Sequence, residues 1–291
     1  MHSEQLRRII EARTGRAETI AEAAARRIRP KSLTGPSGKL MIIAADHPAR
    51  GALRVGDRPM AMADRTDLLD RIVLALSRPG VDGVLGTADI VEDLLLLGAL
   101  DGKVVIGSMN RGGLAGTAFE VDDRFTGYRA DAIAAMGYEG GKMLMRIDPD
   151  DPATVSTVES CAHAVTELAR HRRIAIVEPF LCHRGGGRLR TDLSADAMVR
   201  AVTVAAGLGS TSAYTWLKIP VVDQMERVAA ATTLPALILG GEVSADPDGA
   251  FDGWRKALEL PTVCGLVVGR ALLYPPDGDV AAAVDTAVGL L

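Results

Sequence analysis

Cysteine is scarce and poorly spaced. Cys161, Cys182 and Cys264 are odd in number and lack the paired spacing of a zinc site or a disulfide framework, so a reducing compartment fits them best. No basic stripe exists either. The 33 basic and 37 acidic residues are mixed along the chain for a formal net charge of -4, which argues against nucleic acid as a partner. Long apolar runs are missing too. The longest, Leu94 to Leu100, falls far short of the roughly 20 residues needed to cross a bilayer. The first thirty residues set Leu6, Ile9 and Ile10 at helical spacing among arginines and glutamates, unlike the continuous apolar centre of a signal peptide. A soluble, untargeted, cytoplasmic protein is expected, with no membrane partner.

Two further absences bear on chemistry. Gly185-Gly186-Gly187, between Arg184 and Arg188, lacks the strand and helix that flank a dinucleotide-binding glycine motif, so it reads as a flexible loop or lid. Arg111-Gly112-Gly113 reads the same way. His163 and His171 share a predicted helix at a spacing too wide for a metal pair, and His47 and His183 fall in loops. Neither metal nor cofactor is expected.

What is present is regular. With 291 residues and 48% apolar content, the chain can bury the core of one barrel of about 250 residues. Residues 4 to 28 read as one or two amphipathic helices ahead of the main fold, covering its bottom. After them, eight apolar runs alternate with segments of helical period: Leu40-Ala45, Val81-Leu85, Val104-Ser108, Met143-Ile147, Ile174-Val177, Ala213-Leu217, Ala236-Leu239 and Val263-Val268. Helix starts are signalled by Asp89 ahead of its leucine run and by Ser194 ahead of Met198. Eight such units predict a (β/α)8 TIM barrel over residues 39–291, after an N-terminal helical extension at 1–38, within one domain overall. An open doubly wound sheet is the alternative.

In a barrel, function sits at the C-terminal ends of the strands, and here those ends are unusually polar. They give Asp46-His47, Ser108-Met109-Asn110-Arg111, Glu178, Lys218, Gly240-Gly241 and Gly269-Arg270. Only six of the 33 basic residues are lysines, and two of them, Lys142 and Lys218, border strands. Arginine already serves as the general cation, so a lysine in such a place suggests selection for a titratable amine. A desolvated amine near other charges loses its proton more easily and can attack a carbonyl to form a Schiff base. Lys218, in Ala213-Tyr-Thr-Trp-Leu-Lys218 and followed by Ile219-Pro220, is the candidate nucleophile. Lys142 either assists it or only opens its own strand at the outer bottom edge. Glu178 is placed to move protons or merely to neutralise the lysines, and Asp46 to hold a substrate hydroxyl, orient Lys218 or cap a turn. Gly240, Gly241, Gly269 and Arg270 suit a phosphate, because glycine lets backbone amides approach an anion and arginine adds a charged fork. His47 is a further substrate contact, although a solvated loop histidine is the commoner outcome.

This constellation resembles the class I, Schiff-base aldolases of barrel fold, including deoxyribose-phosphate aldolase and archaeal-type fructose-bisphosphate aldolase. It is most similar to the tagatose-bisphosphate aldolase pattern. That pattern has an aspartate on strand 1, a lysine on strand 4, a glutamate followed by proline on strand 5 and a Schiff-base lysine on strand 6. The matching positions here are Asp46, Lys142, Val177-Glu178-Pro179 and Lys218. The resemblance implies an aldehyde-lyase acting on a phosphorylated keto sugar or sugar acid. In it, Lys142 lowers the proton affinity of Lys218, Glu178 shuttles protons and Asp46 holds hydroxyls. An actinobacterial branch tied to inositol catabolism would imply cleavage of 6-phospho-5-dehydro-2-deoxygluconate to dihydroxyacetone phosphate and malonate semialdehyde. The strand 1 continuation, Asp46-His47-Pro48-Ala49-Arg50-Gly51, departs from the pattern by delaying its glycine and arginine. Two other readings use the same residues: a phosphosugar isomerase with Glu178 as base, and a non-catalytic sugar-phosphate-binding barrel. A homo-oligomer is expected in each case.

Overall fold

Short runs of branched and apolar residues separated by amphipathic segments favour strands buried on both faces and helices laid over them. A computed structural model, which describes residues 3–35, 37–241 and 247–291, has that arrangement. Helices α1 (Ser3–Gly15) and α2 (Glu18–Arg26) come first. There follow β1 (Leu40–Ala44), α3 (Arg65–Ser77), β2 (Gly83–Gly86), α4 (Ala88–Leu96), β3 (Val104–Ser108), α5 (Ala130–Ala135), β4 (Gly140–Ile147) and α6 (Ala153–Arg170). The second half runs β5 (Ile174–Gly185), β6 (Arg188–Thr191), α7 (Ala195–Ala206), β7 (Thr215–Ile219), α8 (Met225–Ala230), β8 (Ala236–Leu239), α9 (Pro247–Leu258), β9 (Val263–Val268), α10 (Arg270–Leu273) and α11 (Val280–Val288).

Eight strands pair in parallel in the order β1-β2-β3-β4-β5-β7-β8-β9, and β9 returns to β1 in the register Leu40 to Gly265, closing a (β/α)8 TIM barrel. Side chains alternate between barrel interior and helix layer along each strand. The inward set Leu40, Ile42, Val104, Ile106, Ile174, Ile176, Leu237 and Val267 forms one apolar cluster, against which Leu33 and Trp216 pack. That cluster is the floor of the barrel. Leu33 reaches it from the segment after α2, and Arg27 donates to the carbonyls of Lys103 and Gly137 just ahead of β3 and β4. The N-terminal helices thus lead into the strand-start end, with α2 packed on α4. Several helices begin on side-chain caps, among them Asp64, which accepts from the Thr66 and Asp67 amides, and Ser194, which accepts from Ala197.

Four features near the strand ends differ from the sequence reading. Strand β4 starts at Gly140, not Met143, so Lys142 lies within it. Glycine hides that start from any hydrophobic pattern, yet close packing requires it: a Cβ on Gly140 would stand 2.5 Å from the Ile174 carbonyl, and one on Gly141 2.5 Å from Met109 Sδ. Strand β7 covers Thr215–Ile219, which places Lys218 inside it rather than beyond its end. Strand β5 does not stop at Val177. Pro179 sits within it, and the ladder to β4 continues through Ile147 and Leu181. The Gly185-Gly187 stretch is no loose lid but the turn of a β5–β6 hairpin. Gly185 pairs with Arg188, while Gly186 and Gly187 take φ of 59° and 77°, the left-handed pair that a two-residue hairpin turn demands. Among the described residues no helix is long and apolar enough to cross a membrane.

Candidate active site

One step above the apolar floor, the same inward phase reaches Asp46 after β1, Ser108 on β3, Lys142 on β4, Glu178 on β5 and Lys218 on β7. Alternation therefore carries a ring of polar groups to one level inside the barrel. Ser108 and Lys142 are register partners, as are Lys142 and Ile176, which precedes Glu178 by one inward step. Asp46 and Lys142 are each 2% exposed, Lys218 4% and Glu178 8%. Charges this deeply buried persist only when paired and hydrogen-bonded.

They are paired with one another. Glu178 Oε1 lies 2.8 Å from Lys218 Nζ, and its Oε2 contacts Lys142 Nζ. Lys142 Nζ also donates to Asp46 Oδ2 at 3.4 Å, and Ser108 Oγ donates to that oxygen at 3.1 Å. The Arg111 fork completes the set, one nitrogen donating to Asp46 Oδ2 and another to the Asp46 carbonyl at 3.0 Å. Arg111, read from sequence as part of a flexible Arg-Gly-Gly loop, is in fact buried against the strand 1 aspartate. Its loop is pinned from behind by Arg50, which donates to the carbonyls of Asn110 and Gly113 and pairs with buried Asp123. Asn110 exchanges two hydrogen bonds with the backbone of Leu144, extending the β3–β4 ladder.

These groups form the base of a cavity of about 620 Å³ that opens at the C-terminal ends of the strands. Leu144, Phe180, Pro220 and Leu239 make an apolar collar above the charges. Gly240, Gly241, Gly269, Arg270 and His47 line the side formed by β8, β9 and β1, and Arg146 stands on β4 across the barrel. All nine residues singled out from the sequence thus face one cavity. His47 is not a solvated loop residue: it is half-buried, and its Nδ1 is buried without a hydrogen-bond partner among the described residues. A Cβ on Gly269 would collide with the Ala44 carbonyl and come within 2.8 Å of His47 Cε1, so glycine is what permits this wall. Among the described residues no group of three or more His, Cys, Asp or Glu could hold a metal ion.

Burial and charge pull the titrations in opposite directions. Burial would raise the Glu178 carboxyl, but the flanking Lys142 and Lys218 outweigh it and hold the group below the usual carboxylate range. Asp46 behaves alike: burial raises it, and Arg111 followed by Lys142 brings it well down. For Lys142 burial wins over both carboxylates, and its amine is lowered to about 8. Burial likewise pushes the His47 imidazole down to about 3, which keeps it neutral near pH 7. Among the described residues the cavity therefore presents two ionised carboxylates, an ammonium that can release its proton near physiological pH, and a second buried amine beside it.

Residues 38–288 match the model of the Cgl0159-like family. The crystal structure of Cgl0159 from Corynebacterium glutamicum is 52% identical with a TM-score of 0.97, covering 100% of this chain and 97% of that one. An archaeal fructose-1,6-bisphosphate aldolase, described with its catalytic lysine covalently bound to the carbinolamine intermediate of the substrate, is 18% identical. It has a TM-score of 0.66 and coverage of 93% and 98%. A fructose-bisphosphate aldolase from Slackia heliotrinireducens is 13% identical, with a TM-score of 0.58 and coverage of 99% and 91%. At these last two identities the likeness is one of fold. No curated protein sequence matches the chain.

Proposed function

The chain belongs to the Cgl0159-like family, and from that premise and the geometry above we propose that it is a class I aldolase, a carbon-carbon lyase working through an imine on Lys218. The observation that carries this reading is the Glu178 carboxylate bridging two buried lysine amines at the base of an open cavity. Lys218 is the better nucleophile because among the described residues a single carboxylate touches it, whereas Lys142 is engaged by both Glu178 and Asp46.

The uncharged Lys218 amine attacks the substrate carbonyl carbon, its nitrogen gives up one proton to Glu178, and Glu178 or Lys142 beside it returns one to the carbonyl oxygen to give a carbinolamine. Lys142, lowered to about 8, suits the acid that helps this oxygen depart as water, leaving an iminium. The carbon-carbon bond β to the iminium carbon then breaks and its electron pair flows into the nitrogen, forming an enamine. The adjacent hydroxyl loses its proton as the aldehyde leaves. Asp46 Oδ2 already receives Ser108, Arg111 and Lys142, while no donor among the described residues reaches Oδ1, which suits a substrate hydroxyl. Glu178 relays protons between the two amines and the substrate, the enamine is protonated, and water releases the ketone product.

The substrate class follows from charge. Among the described residues six basic side chains line the cavity against two carboxylates, which favours an anion. A phosphate on Gly240, Gly241, Gly269 and Arg270, beside neutral His47, would lend remote binding energy to placing the carbonyl over Lys218. Phosphorylated keto sugars and sugar acids fit this description, 6-phospho-5-dehydro-2-deoxygluconate among them. The test is borohydride reduction in the presence of dihydroxyacetone phosphate, followed by peptide mass analysis. A reduced adduct on Lys218 is the expected result. Full turnover with no trappable adduct would favour an isomerase with Glu178 as base, and ligand binding without turnover a sensor.

A further inference from the structure

The buried ring holds an unequal number of charges. Among the described residues Asp46 and Glu178 supply two carboxylates, and Arg111, Lys142 and Lys218 supply three cationic groups, linked in one chain of contacts from Arg111 through Asp46, Lys142 and Glu178 to Lys218. Arginine does not give up its proton in proteins, so any adjustment must come from a lysine. The pairing is also ordered. Arg111 puts two donors on Asp46, one on the carbonyl and one on Oδ2, while the Lys142 contact to Oδ2 is longer at 3.4 Å. Both lysines press on Glu178.

We infer that Arg111 is a positioning residue that frees an amine. By satisfying the charge of Asp46 it leaves two lysines sharing one carboxylate, so a buried cluster of zero net charge contains one neutral lysine. The backbone is built for this. The Arg111 amide donates to Thr126 Oγ1, and Arg50 grips the carbonyls of Asn110 and Gly113 on either side. Without Arg111, two carboxylates would face two lysines and hold both protonated at neutral pH. Among the described residues the groups facing the amines are Asp46 just after β1, Arg111 from the loop after β3 and Glu178 from β5. His47 and Arg270 lie farther off on the β9 side, and Arg50 with Asp123 stands behind Arg111. These amines are the ones on which the imine reading rests, but their titration can be measured without turnover.

The experiment is the pH dependence of reductive methylation by formaldehyde and dimethylamine-borane on the full-length protein, quantified on the peptides carrying Lys142 and Lys218. Exposed Lys31 and Lys256 serve as internal references. In Arg111→Met the midpoint for the more reactive buried amine should rise by about one unit or more, the usual size for loss of a neighbouring charge. Arg111→Lys, which keeps the charge, should stay within about half a unit of wild type. Asp46→Asn alone should shift the midpoint downward, and combining it with Arg111→Met should restore it, because the charge count is then rebalanced. If Arg111→Met fails to fold, Asp46→Asn decides by itself. Midpoints that do not move in Asp46→Asn or in Arg111→Met overturn the inference even where an imine is trapped. Absence of any imine in the wild type would remove the aldolase reading and leave this one standing.

Discussion

Glu178 divides its carboxylate between two amines, with Oε1 2.8 Å from Lys218 Nζ and Oε2 in contact with Lys142 Nζ. No other side chain among the described residues bridges them, so a proton relay between the lysines would have to run through this group. Glu178→Gln keeps the shape and removes both the charge and the relay. We expect kcat for aldol cleavage to fall about 10²- to 10⁴-fold, the usual worth of a positioned acid-base group. A variant that retains near-wild-type kcat would exclude the relay.

The lowered proton affinity of Lys142 makes stability depend on pH in the alkaline range. Its amine sits at about 8 in the fold against 10.5 in the unfolded chain. Between these values the unfolded state binds more protons, so stability rises with pH through that window by up to about 1.4 kcal/mol per unit. Below about pH 8 both states hold the proton and the burial penalty is present in full. Lys142→Met removes this contribution. Urea unfolding at pH 7.5 and pH 10 should show the stability advantage of Lys142→Met over wild type shrinking at the higher pH, and an advantage that stays constant would contradict the assignment.

His47 predicts the opposite limb. Its imidazole is held at about 3 in the fold against an ordinary 6.5, so the unfolded chain gains a proton first as pH falls. The native state loses stability progressively from about pH 6.5 downward. His47→Asn should flatten that acid limb, as read from denaturation midpoints between pH 7 and pH 5. Equal slopes in the two proteins would show that the ring protonates freely in the fold.

How far this site is legible in the sequence depends on which residues carry a pattern. Apolar runs such as Val104–Ser108 and Val263–Val268 announce strands outright, and the alternation within the strands sets Asp46 and Glu178 on the inward face. Lys142 is harder to place because Gly140 and Gly141 offer no side chain to the pattern, although tight packing is the reason for both. The β5 hairpin is hidden by Pro179, a residue that usually ends strands but here lies within a ladder held on the β4 side. The role of Arg111 escapes sequence reasoning for a different reason. Its partner lies 65 residues away, and no local spacing encodes a loop folding back onto strand 1. The only signal in the sequence is an arginine directly after a polar barrel-strand end.

Anion binding and chemistry are separable at the β9 end of the cavity. Gly269 packs against the Ala44 carbonyl and the His47 ring, so Gly269→Ala must move one of them and should destabilise the protein by about 1 to 3 kcal/mol. Gly241 has φ of +68° and open space around its Cα, so Gly241→Ala strains only the backbone, by about 1 to 2 kcal/mol. Arg270→Ala touches neither and removes a charged donor from the cavity wall. If a substrate phosphate binds there, Arg270→Ala should raise KM for a phosphorylated keto sugar about 10- to 100-fold, the worth of one charged hydrogen bond. Its effect on an unphosphorylated analogue should be much smaller, and imine trapping on Lys218 should persist at saturating substrate. Equal losses with and without the phosphate would show that Arg270 supports the wall and does not read the anion.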